Sequence, residues 1–191
     1  MNRASSMKIA VALVVFAGAA AALGATAFSG GRHAIAKKVV RGISEIDYVE
    51  STTELIDKSS MIVYGVATGR PSFTVRSDDG IYGDYFQDVQ VRDTLKGQAP
   101  SSVTVVRLGP SPAAQANGVQ ADELGGRLPA GPAVYFLQPS AEEGVLQIVG
   151  HTQGSLVFGP NGRVAKVETH GFGSFVGLTL AQVKARITAG A

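Results

Sequence analysis

The chain contains no cysteine and no tryptophan, and only three histidines among its 191 residues. Without cysteine there is no disulfide framework and no lipid-bearing cysteine of the bacterial lipoprotein kind. The histidines His33, His151 and His170 are scattered, too few for a structural zinc site, and the sequence points to no metal and no cofactor.

Signatures of common enzymes are missing as well. There is no G-x-S-x-G elbow: Ser174 lies between Gly173 and Phe175, with the wrong glycine spacing. The one S-x-x-K, Ser5 to Lys8, falls in the N-terminal segment. Neither H-E-x-x-H nor a phosphate-binding G-x-x-x-x-G-K occurs. The glycines at 171, 173 and 177 miss the dinucleotide fingerprint and read as a flexible, apolar link. Asp78-Asp79-Gly80 lacks the alternating acidic ligands of a calcium loop and reads as a turn within a polar connection over residues 71–83.

Positive charge is scarce where it would matter for nucleic acid. The whole chain holds 17 basic and 15 acidic residues. Arg3 and Lys8 lie in the first 27 residues, and Arg32, Lys37, Lys38 and Arg41 crowd the segment that follows. Set aside, these six leave 11 basic against 15 acidic residues from Gly42 onward, a net of −4. An acidic body is a poor duplex binder, which excludes a nucleic-acid partner.

What is present begins with an address. Arg3 and Lys8 precede an uninterrupted Ala-rich apolar run over residues 9–23, and Ala25-Thr26-Ala27 follows with small residues where signal peptidase needs them. Residues 1–27 read as a secretory signal peptide cleaved after Ala27, with Ala25 and Ala27 as its recognition residues. The alternative is an uncleaved anchor, a transmembrane helix, because residues 9–28 are about long enough to cross a bilayer. Residues 28–50 form a small basic spacer without the large apolar face of an interfacial helix. The expected location is extracytoplasmic: secreted, or held at the cytoplasmic membrane by that first segment.

Residues 51–191 read as one β-rich domain. Ser51-Thr52-Thr53-Glu54 is a capping box for a short helix through Lys58, with Leu55 and Ile56 as its buried contacts. Met61 to Ala67 is rich in β-branched residues and too short for a typical helix, and it reads as a doubly buried strand. From Tyr85, the residues Val89, Val91 and Leu95 share one parity while Asp88, Gln90 and Arg92 share the other, as in a half-buried strand that Gly97 ends. Further strands are expected at residues 103–108, 133–137, 144–149 and 155–158. Gly159-Pro160-Asn161-Gly162 predicts a hairpin into residues 163–167. Thr179 and Gln182 cap a C-terminal helix whose inner face holds Leu180, Val183 and Ile187. The connection over residues 109–128, rich in Ala, Gln, Gly and Pro, is expected to be mobile. The expected fold is mainly β: a small antiparallel, OB-like barrel with a short N-terminal helix and a C-terminal helix. A sandwich is the alternative.

For chemistry, one constellation stands out. His151 lies in Gly150-His151-Thr152-Gln153-Gly154 between two strands, and His170 follows Glu168 by two positions. If their loops meet, His151, Glu168 and His170 would form an acid–base pair or a weak metal site. If they do not, both histidines are surface loop residues. Glu142-Glu143 reads as a solvated turn.

The order of a capped short helix, Ile62-Val63-Tyr64-Gly65-Val66, then Val89-Gln90-Val91 ending in Leu95-Lys96-Gly97, continues through Leu128-Pro129-Ala130-Gly131-Pro132-Ala133-Val134-Tyr135-Phe136-Leu137 and Gln153-Gly154 to Asn161-Gly162. It resembles a family of uncharacterised exported bacterial proteins, common among actinobacteria. More distantly it is similar to the netrin-like domain of metalloproteinase inhibitors, an OB-type barrel. Those inhibitors present an N-terminal cysteine to the protease metal, and this chain has none. The leading expectation is therefore a non-catalytic, exported binding or scaffolding protein whose partner is an envelope component or protein of unknown identity. The alternatives are a hydrolase using His151 or His170 with Glu168, and a protease inhibitor acting through the 109–128 loop.

Overall fold

A computed structural model describes residues 48–76, 80–119, 126–168 and 171–190. The signal or anchor segment, nearly all of the basic spacer, the Asp78-Asp79 pair and His170 lie outside the described residues. Among the described residues no helix is long and apolar enough to cross a membrane.

The domain opens with helix α1, Thr52–Lys58. Ser51 Oγ accepts from the Glu54 N–H at 3.1 Å, satisfying one of the donors that a helix start leaves open. Glu54 in turn accepts from the Glu50 N–H at 2.7 Å and pairs with Lys58 one turn on. Leu55 and Ile56 form the buried face. At the other end, Lys96 Nζ donates to Ile56 O at 2.6 Å, placing a cation where the helix leaves carbonyls without partners.

Seven strands follow: β1 Met61–Val75, β2 Tyr82–Lys96, β3 Ser102–Pro110, β4 Pro132–Pro139, β5 Val145–Ile148, β6 Ser155–Phe158 and β7 Val164–Val167. The pairing order β1-β2-β3-β5-β4 closes on itself because β1 also pairs with β4, from Met61↔Leu137 to Val66↔Pro132. The result is a five-stranded barrel of the expected OB-like kind. One of its pairings is parallel, β3 with β5, and it spans only Thr104↔Val145 to Val106↔Gln147. β6 and β7 extend the sheet from β4 as an antiparallel pair of added strands.

Alternation sorts the side chains into two cores. Val63, Val89, Val103, Val105, Ala133, Tyr135, Leu137 and Ile148 fill the barrel. Ile62, Val134 and Phe136 point to the other face of β1 and β4, joined by Leu156 of β6 and Val164 of β7. There they meet Leu55 and Ile56 of α1, and Val183 and Ile187 of the C-terminal helix α3, Leu180–Ala189. Because the barrel wall has apolar residues on both faces, Ile62 and Val63 are adjacent and both fully buried. The Thr179–Gln182 capping box of α3 forms as expected.

Three expectations need correction. The polar connection over 71–83 is shorter than its composition suggests, because β1 runs to Val75 and β2 starts at Tyr82. Pro71 fits there because the β1–β2 register breaks between Thr68 and Ser72, where no ladder N–H is required of it. The 109–128 connection is not one mobile loop. Gly109 and Pro110 belong to β3, and Ser111 caps a short helix α2, Pro112–Ala116, by accepting from the Ala114 N–H at 3.1 Å. Proline at the first helical position has no N–H to leave unsatisfied. The link at 171–177 is not slack either. It contains a 3-10 turn, Gly173–Phe175, whose Phe175 is fully buried, packs 6.0 Å from the Phe136 ring and carries Arg186 over its face.

Candidate functional site: a polar seam in the barrel wall

β5 and β6 occupy successive lengths of the same edge of β4. β5 pairs with Leu137–Pro139 and β6 with Ala133–Tyr135. The turn over residues 149–154 carries the chain from one to the other. On the far side of this gap, β3 loses its β5 partner after Val106. The wall between the end of β3 and the β6–β7 extension therefore has no strand ladder, and side chains span it.

Arg107 is the central one. Alternation along β3 turns Val103, Val105 and Arg107 into the barrel, and Arg107 retains only 4% of its surface. Its guanidinium reaches across the seam to Glu168, the residue after β7. Nη1 donates to Glu168 Oε1 at 3.2 Å, and Nη2 lies 2.9 Å from Oε2. Nη1 also donates to Arg127 O at 3.2 Å. That carbonyl comes close because the segment after 125 crosses β3 glycine against glycine. A Cβ on Gly109 would collide with the Gly126 backbone.

Tyr135 and Ser155 are register partners on β4 and β6, so their side chains stand on the same face, and both residues are fully buried. Burial pushes the Tyr135 phenol well above its ordinary range. The Arg107 charge acts on it in the opposite sense, and the Glu168 charge raises it further. His151 completes the group. With φ of 60° it is the one described non-glycine residue in the left-handed region, directly after Gly150 at 64°. Gln153 holds this turn in place, accepting from Val49 N–H at 2.8 Å and donating to Val49 O at 3.0 Å. Both His151 ring nitrogens are buried, which corrects the reading of this histidine as a surface loop residue. Burial, and then the Arg107 charge, lower its pKa to about 4, so the imidazole is neutral at physiological pH.

Among the described residues five buried side-chain polar atoms have no polar partner, Arg107 Nε, Tyr135 Oη, both His151 nitrogens and Ser155 Oγ, while Arg107 Nη2 and Glu168 Oε2 meet only each other, as an ion pair without hydrogen-bond geometry. All seven belong to this one seam. Folded proteins leave few such atoms, and a concentration of them at one place marks a site. By contrast Tyr85, the register partner of Arg107 on β2, is fully engaged: its hydroxyl donates to Pro110 O at 2.7 Å and accepts from Gln115 Nε2 at 2.8 Å.

Of the residues singled out from sequence, His151 and Glu168 both border Arg107, and His170 lies outside the described residues. Arg107, Tyr135 and Ser155 were missed. The signal for Arg107 was present: it is a lone charge at an inward position of the run Val103-Thr104-Val105-Val106-Arg107. Glu142 and Glu143 are exposed as expected, on the rim of an open groove of about 570 Å³ at the opposite barrel end, between the starts of β3 and β5. No protein-family model and no curated protein matches the chain.

Proposed function

We propose that this is an exported, non-catalytic binding protein of the cell envelope, with the polar seam as its binding element. The observation that carries the reading is the pairing of Glu168 with Arg107. An acid–base pair needs a carboxylate that orients the imidazole, and a nucleophile hydrogen-bonded to that imidazole. Here the carboxylate faces a guanidinium, and the two His151 nitrogens and Ser155 Oγ have no hydrogen bond to each other or to Glu168. A neutral imidazole with a pKa near 4 is also a weak base at neutral pH. The described parts of the 109–128 segment favour a structural role over protease inhibition, since Leu128 is buried and its N–H donates to Gln87 Oε1 at 3.3 Å. Export rests on the N-terminal pattern ending in Ala25-Thr26-Ala27.

Two measurements test this. Fractionation of bacteria expressing the full-length chain is expected to recover it outside the cytoplasm, and recovery in the cytoplasm contradicts the proposal. Treatment with a fluorophosphonate probe is expected to leave Ser155 unlabelled, whereas labelling of Ser155 that His151→Ala abolishes would establish the hydrolase instead.

A further inference from the structure

An arginine presents two forks of parallel donors, one at Nη1 and Nη2 and one at Nε and Nη2. In the seam the first fork faces Glu168. Of the second fork, Nε is buried without a partner, and Nη2, buried and ion-paired with Glu168 Oε2, has a second N–H directed to the Nε side. The Arg107 charge acts on two further buried groups with donors to offer, the Tyr135 hydroxyl and the protonated His151 nitrogen, and the buried Ser155 hydroxyl stands on the same face as Tyr135, its register partner. The atoms there that are solely acceptors are two: Glu168 Oε2, which already faces Nη2 at 2.9 Å, and the His151 nitrogen without the proton. Donors thus outnumber acceptors, and the imbalance selects an acceptor-rich, planar group. Glu168 keeps 18% of its side-chain surface and so reaches solvent, while Arg107, Tyr135 and Ser155 are buried.

From this we infer that the seam is a binding site for a carboxylate group, received by the Nε–Nη2 fork of Arg107 and by the Tyr135 and Ser155 hydroxyls. A carboxylate matches the spacing of the fork with its two oxygens and leaves lone pairs for the hydroxyls. The inference rests on the binding-protein reading above and names the ligand chemistry for the same site. A free small carboxylic acid and the C-terminus of a peptide share that chemistry.

The test is a titration of purified full-length protein, labelled with nitrogen-15 in its arginines, following the Arg107 Nε–H resonance by NMR. The probes are acetate, the dipeptide N-acetyl-glycyl-alanine, acetamide, and sodium chloride at matched ionic strength. A saturable shift with acetate or with the dipeptide, absent with acetamide and chloride, is expected. Tighter saturation by acetate identifies a free acid as the ligand type, and tighter saturation by the dipeptide identifies a peptide terminus. Tyr135→Phe and Ser155→Ala delete groups that have no partner in the fold, so both variants should stay folded, and each should weaken binding about fivefold. No saturable shift with either carboxylate, an equal shift with acetamide, or unchanged affinity in both variants overturns the inference and leaves ordered water as the partner of these groups. Such a failure leaves the non-catalytic reading standing, because fluorophosphonate labelling tests that separately.

Discussion

Arg107 on β3 and Glu168 after β7 join two parts of the sheet that share no backbone ladder, their nearest charged atoms 2.9 Å apart. Removing one partner leaves the other as an uncompensated charge in or near the barrel interior. Arg107→Met and Glu168→Leu should each destabilise the domain by about 3 kcal/mol. The double variant should lose much less than the two losses combined, since an apolar pair replaces the ion pair. Urea denaturation of all four proteins checks this, and full additivity would show that the two side chains are not coupled.

The pH dependence of stability follows from His151. Its folded pKa of about 4 is depressed below the ordinary 6.5, so between these values the unfolded chain binds the proton and the folded chain does not. Stability from this residue is complete above pH 6.5 and falls as the pH drops toward 4. The loss by pH 5 should be about 2 kcal/mol. Comparing wild type with His151→Leu at pH 7.5 and pH 5 isolates this contribution, and the variant should show the smaller acid-induced decrease in stability.

Gln153 fastens residues 48–50 to the barrel through a two-bond clamp on Val49. Gln153→Ala leaves both polar groups of the buried Val49 backbone without those bonds. It should cost about 1–3 kcal/mol and raise amide hydrogen exchange at Val49.

Gly65 sits where β1 and β2 shift register, and a Cβ there would lie 2.5 Å from Gln90 O and 2.7 Å from Val89 Cγ1. Gly65→Ala should cost about 1–3 kcal/mol through forced displacement of β2. Gly173→Ala, which meets nothing within 4 Å, should change the melting temperature little by comparison.

Much of the barrel was legible in the sequence because its strands obey simple alternation; the Thr179 capping box forms in full, while at Ser51 the serine caps its helix but Glu54 reaches back to the Glu50 N–H and not to that of Ser51. The failures have physical causes. Composition marked residues 109–128 as loop, but Ser111 and Pro112 start a helix through local chemistry that a compositional average hides. Glycine spacing suggested slack at 171–177, whereas burial of Phe175 fixes that turn through a contact with Phe136 distant in sequence. Leu180 was expected alongside Val183 and Ile187 and is only half-buried, because it opens the first turn of its helix. At the site, His151 and Glu168 were legible as residue types. Arg107, 61 positions from Glu168, enters only through the closure of β3 against the β6–β7 extension, which local periodicity does not encode.

The most direct measurement is the pKa of His151, read from its ring carbon-bound proton by NMR titration of the wild-type protein. Burial beside Arg107, with Glu168 engaged by that arginine, places the pKa at about 4. A value at or above 6.5 would mean that the imidazole is solvated or paired with the Glu168 carboxylate. Either result would contradict a seam built on Arg107, and pairing with Glu168 would restore the acid–base site.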